Sequence, residues 1–395
     1  MTTELGASRR RGILGGSAWR IGRISGIDIA IDQSWLLIFF LISISIAAQL
    51  ATSNADSSAP ARWLTAVAVA CAFFASIVLH ELGHSFVAQA FGIRVRSITL
   101  FLFGGVAQIE REPRKPIHEI AIALAGPAVS FALGGAFTAL AGLRDDASLA
   151  SAALGWLGRV NLALGLFNLA PGFPLDGGRV LRGVVWAMTG SFQRATRVAA
   201  ASGAGIASLL MLAGVVSAFA ARDLIGGLWL VFLGWFLLSA SRNAVGAMEL
   251  ERILGAVRVA DVLEPVRHAT VSPETSVEEV VSGHVLRSGL RTLWIADPKT
   301  LRLLGITTLR ELARVPAERR AVTSVASAMV PVASAAWVSP ADTALVGMQR
   351  LAEAGVNQLP VLEDGRLVGA LTRERLLGLL QAGLWLGAAR PASAA

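Results

Sequence analysis

Cysteine is almost absent: Cys71 is the one thiol in 395 residues. That excludes any intramolecular disulfide and rules out a zinc site built from four cysteines. A lone cysteine of this kind is expected to pack as a small apolar residue. Charge is also scarce. Charged residues make up 16% of the chain against a hydrophobic fraction of 54%, and mean hydropathy is +0.62. This balance lies outside ordinary globular usage and points to a membrane protein carrying a soluble appendage. The net charge of +8 comes without a basic-aromatic platform, and the arginines are dispersed, so no nucleic-acid partner is expected. Positive charge flanking apolar spans reads more simply as membrane topology. The first 33 residues carry Arg9, Arg10, Arg11, Arg20 and Arg23 with no small-residue cleavage site, so no removable signal peptide is expected.

Against these absences stands the run His80-Glu81-Leu82-Gly83-His84, inside an apolar stretch from Leu64 through Phe91. On a helix, H-E-x-x-H puts two imidazoles one turn apart on one face, where both reach a single Zn²⁺. The Glu is left beside an open fourth position, placed to act as general base. With five His and sixteen Glu in 395 residues, chance supplies this pattern in on the order of one chain in 400. Two histidines satisfied by neighbouring backbone would be the plainer explanation. In a membrane segment that explanation is weak, because ionisable groups there are costly and mark function.

Six apolar segments approach the roughly 20 residues needed to cross a bilayer: about 35–50, 63–91, 117–143, 149–188 (interrupted), 198–220 and 224–240. Lys and Arg orient them. The N-terminus holds five, and the connection Gly92–Pro116 holds Arg94, Arg96, Arg111, Arg114 and Lys115. Arg194, Arg197, Arg242 and Arg252 fall on the same side, whereas the opposite side has only Arg62, Arg144 and Arg222. Both termini are therefore expected in the cytoplasm of a multi-pass cell-membrane protein, with His80 and His84 in the cytoplasmic half of the second span.

The fourth segment is interrupted. From Asn161 through Asn168 to Pro171, Pro174, Asp176 and Arg179, prolines, glycines and an acid stand where a helix should continue. Irregular backbone at membrane depth is tolerated only against protein or a water-filled cavity. Two His and one carboxylate with an open position make a hydrolytic zinc centre, and Asp176 is the expected third ligand. Asp145 and Asp146 lie on the wrong side, and Glu110, Glu112 and Glu119 occupy a polar stretch with no evident reason to be buried. The Asn168 amide is placed either to bond substrate backbone or a developing oxyanion, or to cap the interruption. Asn161 is expected to pack between helices as a polar contact. Gly104 and Gly105 follow a β-like run, residues 97–103, and form a candidate re-entrant edge that receives an unwound substrate as an added strand.

HELGH in one span, with Asn168-x-x-Pro171-x-x-Pro174-Leu175-Asp176-Gly177-Gly178 in another, resembles the site-2 protease family of intramembrane zinc metalloproteases. Gly126-Pro127 and Gly104-Gly105 also match its pattern, and the resemblance covers about residues 30–245. It implies His80, His84 and Asp176 as ligands of one Zn²⁺ per chain and Glu81 as catalytic acid/base. It further implies a six-helix domain that cuts membrane-spanning helices of other proteins, as in regulated intramembrane proteolysis of membrane-anchored signalling proteins.

Beyond Glu251 the composition becomes soluble and two halves repeat. Val259–Pro265 parallels Val325–Pro331, Val271-Ser-Pro273 parallels Val338-Ser-Pro340, and Leu303–Thr308 parallels Leu367–Thr372. Each unit reads as a short strand, a helix, two strands joined by a turn, and a closing helix. Residues 355–372 resemble the cystathionine-β-synthase-type (CBS) module, whose tandem pairs dimerise and commonly bind adenosine nucleotides. In the family pattern an acid three residues after Thr holds the ribose. Here Glu311 follows Thr308, making these the nucleotide candidates, while Arg375 follows Thr372 and impairs the second site.

The expected fold is a membrane all-α, six-helix protease core followed by a soluble α+β tandem CBS module. Its expected divisions are a cytoplasmic N-terminal segment (1–33), the membrane domain (34–245), a linker (246–258), CBS units 259–320 and 321–382, and a tail (383–395). The partners expected are a membrane-protein substrate, the bilayer and a second copy of the chain. A CBS-gated transporter or channel is the alternative, since it too uses intramembrane acids and broken helices. It should interrupt corresponding helices in two halves, and here one interruption accompanies a complete hydrolytic set.

Overall fold

Ser58 opens the helix that carries the HELGH run. Its side chain accepts from the Ala61 N–H, and Pro60 takes a first-turn position whose own donor would be unpaired anyway. A computed structural model describes residues 10–11, 17–102, 104–144, 148–266 and 269–388. The chain divides into two compact units, 1–245 and 246–395.

In the first unit the helices are α1 (Ser34–Ser53), α2 (Ala59–Ala90), α3 (Pro116–Gly142), α4 (Leu149–Asn168), α5 (Asp176–Thr189), α6 (Phe192–Ala220) and α7 (Leu224–Gly255), which runs on into the second unit. Six of these, all but α5, are long and apolar enough to cross a membrane. At 1.5 Å per residue α5 extends only about 21 Å, short of the roughly 30 Å hydrocarbon core. Asn161 bridges α4 to α2 as expected, donating to Ser76 Oγ at 3.3 Å and to Leu157 O at 2.9 Å. Cys71 does not pack within the protein. It is exposed on the outward face of α2, where the apolar surroundings of a membrane helix are lipid.

Five strands join these helices: β1 (Arg10–Arg11), β2 (Ser17–Ile24), β3 (Ile27–Asp32), β4 (Val95–Phe101) and β5 (Gly104–Ile109), in the order β1-β2-β3-β4-β5. β3 and β4 are parallel and the other pairs antiparallel. The sheet thus recruits residues 17–32, part of the segment read from sequence as a plain cytoplasmic lead. Alternate residues Ile27 and Ile29 of β3 bury against Leu82 and Ala88 of α2 and Ile98 of β4. Of the β-like run 97–103, residues 97–101 lie in β4, which starts two residues earlier, and Phe103 lies outside the described residues. Among the described residues β5 is an outer strand, paired on one side with β4.

The second unit holds β6 (Thr270–Val271), α8 (Val277–Glu279), β7 (Thr292–Ala296), β8 (Leu303–Thr308), α9 (Leu309–Ala313), α10 (Val325–Ala328) and β9 (Val330–Pro331). It continues with α11 (Ala344–Ala354), β10 (Gln358–Glu363), β11 (Arg366–Thr372) and α12 (Arg373–Ala388). β6-β7-β8-β9 form one sheet and β10-β11 another. The tight turn at Asp364-Gly365 has both residues at positive φ, 50° and 78°, the conformation that suits a twisted two-residue hairpin.

The repeats exchange their opening segments. Val259 and Val262 bury with Val338, Leu351 and Val361 of the second repeat, and Glu264 bridges Ala370. Reciprocally, Val325 buries with Val271, Val277 and Leu293 of the first, and β9 pairs with β8. Packing therefore crosses the linear boundary near residue 320.

Candidate metal centre

The i, i+4 spacing on α2 turns His80 and His84 to one buried face. Their outer nitrogens are held from α3. His84 Nδ1 lies 2.6 Å from Ile122 O. A carbonyl only accepts, so Nδ1 carries the proton and Nε2 keeps its lone pair. His80 Nδ1 lies 2.8 Å from the Ser130 hydroxyl. Both Nε2 atoms then face the same point, 3.2 Å from each other. Asp176, the first residue of α5, completes the group: Oδ2 is 3.2 Å from His80 Nε2 and Oδ1 3.2 Å from His84 Nε2. Ligand atoms of His80, His84 and Asp176 all lie within 4.8 Å of one another.

This donor set fits a zinc ion: two imidazoles with converging Nε2 atoms and one carboxylate, with outer partners already in place. Space is kept open by Gly126 of α3. A Cβ there would sit 2.6 Å from His80 Nε2 and closer still to the His84 ring. Neither Ile122, a backbone group, nor Ser130 was singled out from sequence. Their signal is the spacing Ile122, Gly126, Ser130, four residues apart on one helix face.

Asp176 reaches the histidines because the interruption folds tightly over residues 169–175. Phe173 N–H donates to Ala199 O at 3.1 Å and its carbonyl accepts from Ser241 Oγ at 2.5 Å. Gly203 and Gly178 allow backbone contact with this loop, since a Cβ at either would collide with it. The irregular backbone is thus seated on α6 and α7 at Phe173, the kind of protein contact that non-helical backbone at membrane depth needs.

Glu81 projects toward the sheet. Gly105 of β5 packs directly on it, with Glu81 Cγ 2.6 Å from where a Gly105 Cβ would stand. The expected strand edge and the expected acid/base are therefore neighbours. Gly104, at φ 129°, begins β5 in a conformation that only glycine adopts readily. Asn168 ends α4, and its side chain makes no hydrogen bond among the described residues.

Glu119 is not in the ligand group, but the sequence ground for setting it aside, no evident reason to be buried, is corrected. Glu119 is fully buried at 0% exposure, and Arg182 of α5, 7% exposed, supplies the reason. Arg182 Nε donates to Glu119 Oε1 at 2.6 Å, and its Nη2 bonds both Glu119 and the Glu112 carboxylate, the latter at 2.9 Å. A partner 63 residues away neutralises the carboxylate, which sequence distance hides. Asp145 and Asp146 lie outside the described residues.

In the second unit Thr308 and Glu311 do meet, as a helix cap. The Glu311 carboxylate accepts from Thr308 N–H at 3.1 Å and from the Thr308 hydroxyl. Partial burial pushes the Glu311 carboxyl up, but the Thr308 bonds and the nearby Arg314 outweigh it and hold the group below its ordinary value. Arg375 is exposed, its N–H bonded to Thr372 Oγ1 at 3.2 Å.

Residues 68–145 and 144–212 match the family model described as Peptidase family M50, and residues 325–382 match the CBS domain. The protein named zinc metalloprotease Rip3 of Mycobacterium tuberculosis is 36% identical over 357 residues, covering 89% of this chain and 90% of its own. The one named zinc metalloprotease sll0528 of Synechocystis is 32% identical over 363 residues, covering 92% and 95%. A solved Site-2 Protease from Methanocaldococcus jannaschii is 31% identical and covers 58% of this chain and 95% of its own, with a TM-score of 0.42.

Proposed function

The chain belongs to peptidase family M50 and is a zinc metalloprotease of the membrane, and from that we propose that it cuts the transmembrane segments of membrane-anchored regulatory proteins. The observation that carries this reading is the convergence of His80 and His84, from one buried face of α2, with Asp176 at the start of α5, while the adjoining Glu81 turns to Gly105. His80 and His84 through Nε2, and Asp176 through its carboxylate, would hold one Zn²⁺. When bound, the ion would supply a Lewis acid and lower the pKa of a water to about 7. Glu81 takes the proton released on attack and delivers it to the leaving amine. A substrate helix must unwind before its peptide bonds are accessible, and β5, the outer strand among the described residues, offers the unwound segment an edge to join. Gly105 lets that edge pass against the Glu81 side chain. Asn168, with its amide unspent, is proposed to bond the substrate backbone or the developing oxyanion. The purified chain in vesicles should cleave a co-reconstituted single-span substrate, lose the activity on chelation and regain it with zinc. Undiminished cleavage by metal-stripped protein would refute the reading.

Both termini and the CBS units are proposed to face the cytoplasm, on the Lys/Arg asymmetry of the connections. Since Cys71 is exposed, the check uses a Cys71→Ser background. A cysteine at Ser57 should react with an impermeant reagent outside intact cells, and one at Arg114 should not. Labelling at Arg114 would invert the map.

The tail is proposed to dimerise the chain and tune its activity, with an adenosine nucleotide as the candidate ligand at Thr308 and Glu311. Regulation requires a ligand with different affinity for two states. Because the Glu311 carboxylate is already bonded to the Thr308 N–H and hydroxyl in the capping box of α9, ribose hydroxyls must compete with those bonds, so affinity is expected to be weak. Calorimetry on the full chain should give binding that Glu311→Ala weakens and Arg375→Ala leaves alone. No heat at millimolar nucleotide would reduce the tail to a dimerising platform.

A further inference from the structure

We propose that Arg182 and Glu119 form a positioning latch that sets Asp176 against the two histidines; this rests on the zinc reading of that site. Two structural arms must meet there. One is the buried face of α3, where Glu119, Ile122, Gly126 and Ser130 follow one another. Ile122 O and Ser130 Oγ orient the imidazoles, and Gly126 leaves room beside them. The other is α5, which carries Asp176 at its first position. α2 and α3 are held together by the imidazole bonds, but α5 reaches them only across the interruption. Something must fix α5 along α3.

Arg182 is built for that task. Its guanidinium bonds Glu119 of α3 through Nε, at 2.6 Å, and through Nη2, and reaches Glu112 in the β5–α3 connection at 2.9 Å. Its faces lie over Phe173, three residues before Asp176, at 5.0 Å, and over Phe192 of α6 at 4.6 Å. Arg179 adds a longer contact to Glu119 at 3.9 Å. One turn on, Gly183 brings α5 onto Ile120 and the Pro116 carbonyl, where a Cβ would collide. One side chain therefore grips the helix that orients the imidazoles and the loop that delivers the carboxylate.

A buried ion pair is weak evidence for stability, because desolvation offsets much of the attraction, and its best-attested use is to specify one arrangement among several. A planar fork imposes direction where an ammonium imposes only charge. Outer partners of metal ligands typically change affinity 10- to 100-fold when altered. Arg182 touches no ligand, so its effect runs through the placement of Asp176.

The test measures zinc dissociation constants by chelator competition on the full chain in detergent, together with thermal unfolding of the metal-free protein. Arg182→Lys keeps the charge and loses the fork, and is expected to weaken zinc binding 10- to 100-fold with metal-free unfolding nearly unmoved. Glu112→Gln, at the exposed arm of the latch, should weaken it a few-fold and keeps the question open to measurement if Arg182→Lys does not fold. Unchanged zinc affinity in a folded variant overturns the latch. So does a loss of affinity that merely tracks a loss of metal-free stability, which would mark plain packing. If the unaltered chain itself binds no zinc, the metal reading fails before the latch is reached.

Discussion

Glu81→Gln is expected to leave zinc content and membrane insertion intact while lowering cleavage about 10²- to 10⁴-fold, the range spanned by a positioned general acid–base. Glu81 is absent from the group whose ligand atoms converge, and its side chain lies instead against Gly105 on the sheet side. The amide keeps the shape of the carboxylate and its contact with β5. What it loses is the capacity to accept a proton from the attacking water and pass it to the departing nitrogen. Metal analysis and turnover of a single-span substrate, run on the same preparation, separate the two roles. Near-normal turnover would remove Glu81 from the chemistry, and lost zinc would make it a ligand.

Gly126→Ala is expected to weaken zinc binding about 100-fold, the upper end of what disturbed ligand orientation costs. The new methyl would stand 2.6 Å from His80 Nε2 and nearer to the His84 ring, closer than van der Waals contact permits. Neither imidazole can retreat without giving up its bond to Ser130 or to Ile122 O. Gly135→Ala on the same helix is the control, since nothing lies within 4 Å of its added Cβ. Asp176→Ala gives the reference for outright loss of a ligand. If Gly126→Ala binds zinc as tightly as the Gly135 variant, the two imidazoles do not hold the metal through the nitrogens that face Gly126.

What depends on local periodicity and composition is legible in the residues alone. Four-residue spacing puts His80 and His84 on one face of any helix that contains them, and apolar run lengths mark the six helices fit to cross a bilayer. The site-2 protease resemblance, carried by HELGH and the Asn168–Gly178 motif, also rests on residues alone, as does the CBS repeat. Contacts between residues far apart in the chain depend on packing, which no local pattern specifies. Asp176 meets His80 across 96 residues because a seven-residue loop is clamped by Ala199 and Ser241. Glu119 reads as a surface acid among Arg114, Lys115 and His118, yet it is buried, because the cation that pays for its desolvation lies on α5. Gly105 reads as part of a candidate strand edge, but its contact with Glu81 depends on how the sheet lies over α2. The exchanged opening segments of the CBS repeats have the same cause: Val259 and Val325 sit in equivalent patterns, and which core each enters is settled by the strand edges available to the residues that follow. Periodicity specifies the face that a residue turns inward, and packing chooses what it meets there.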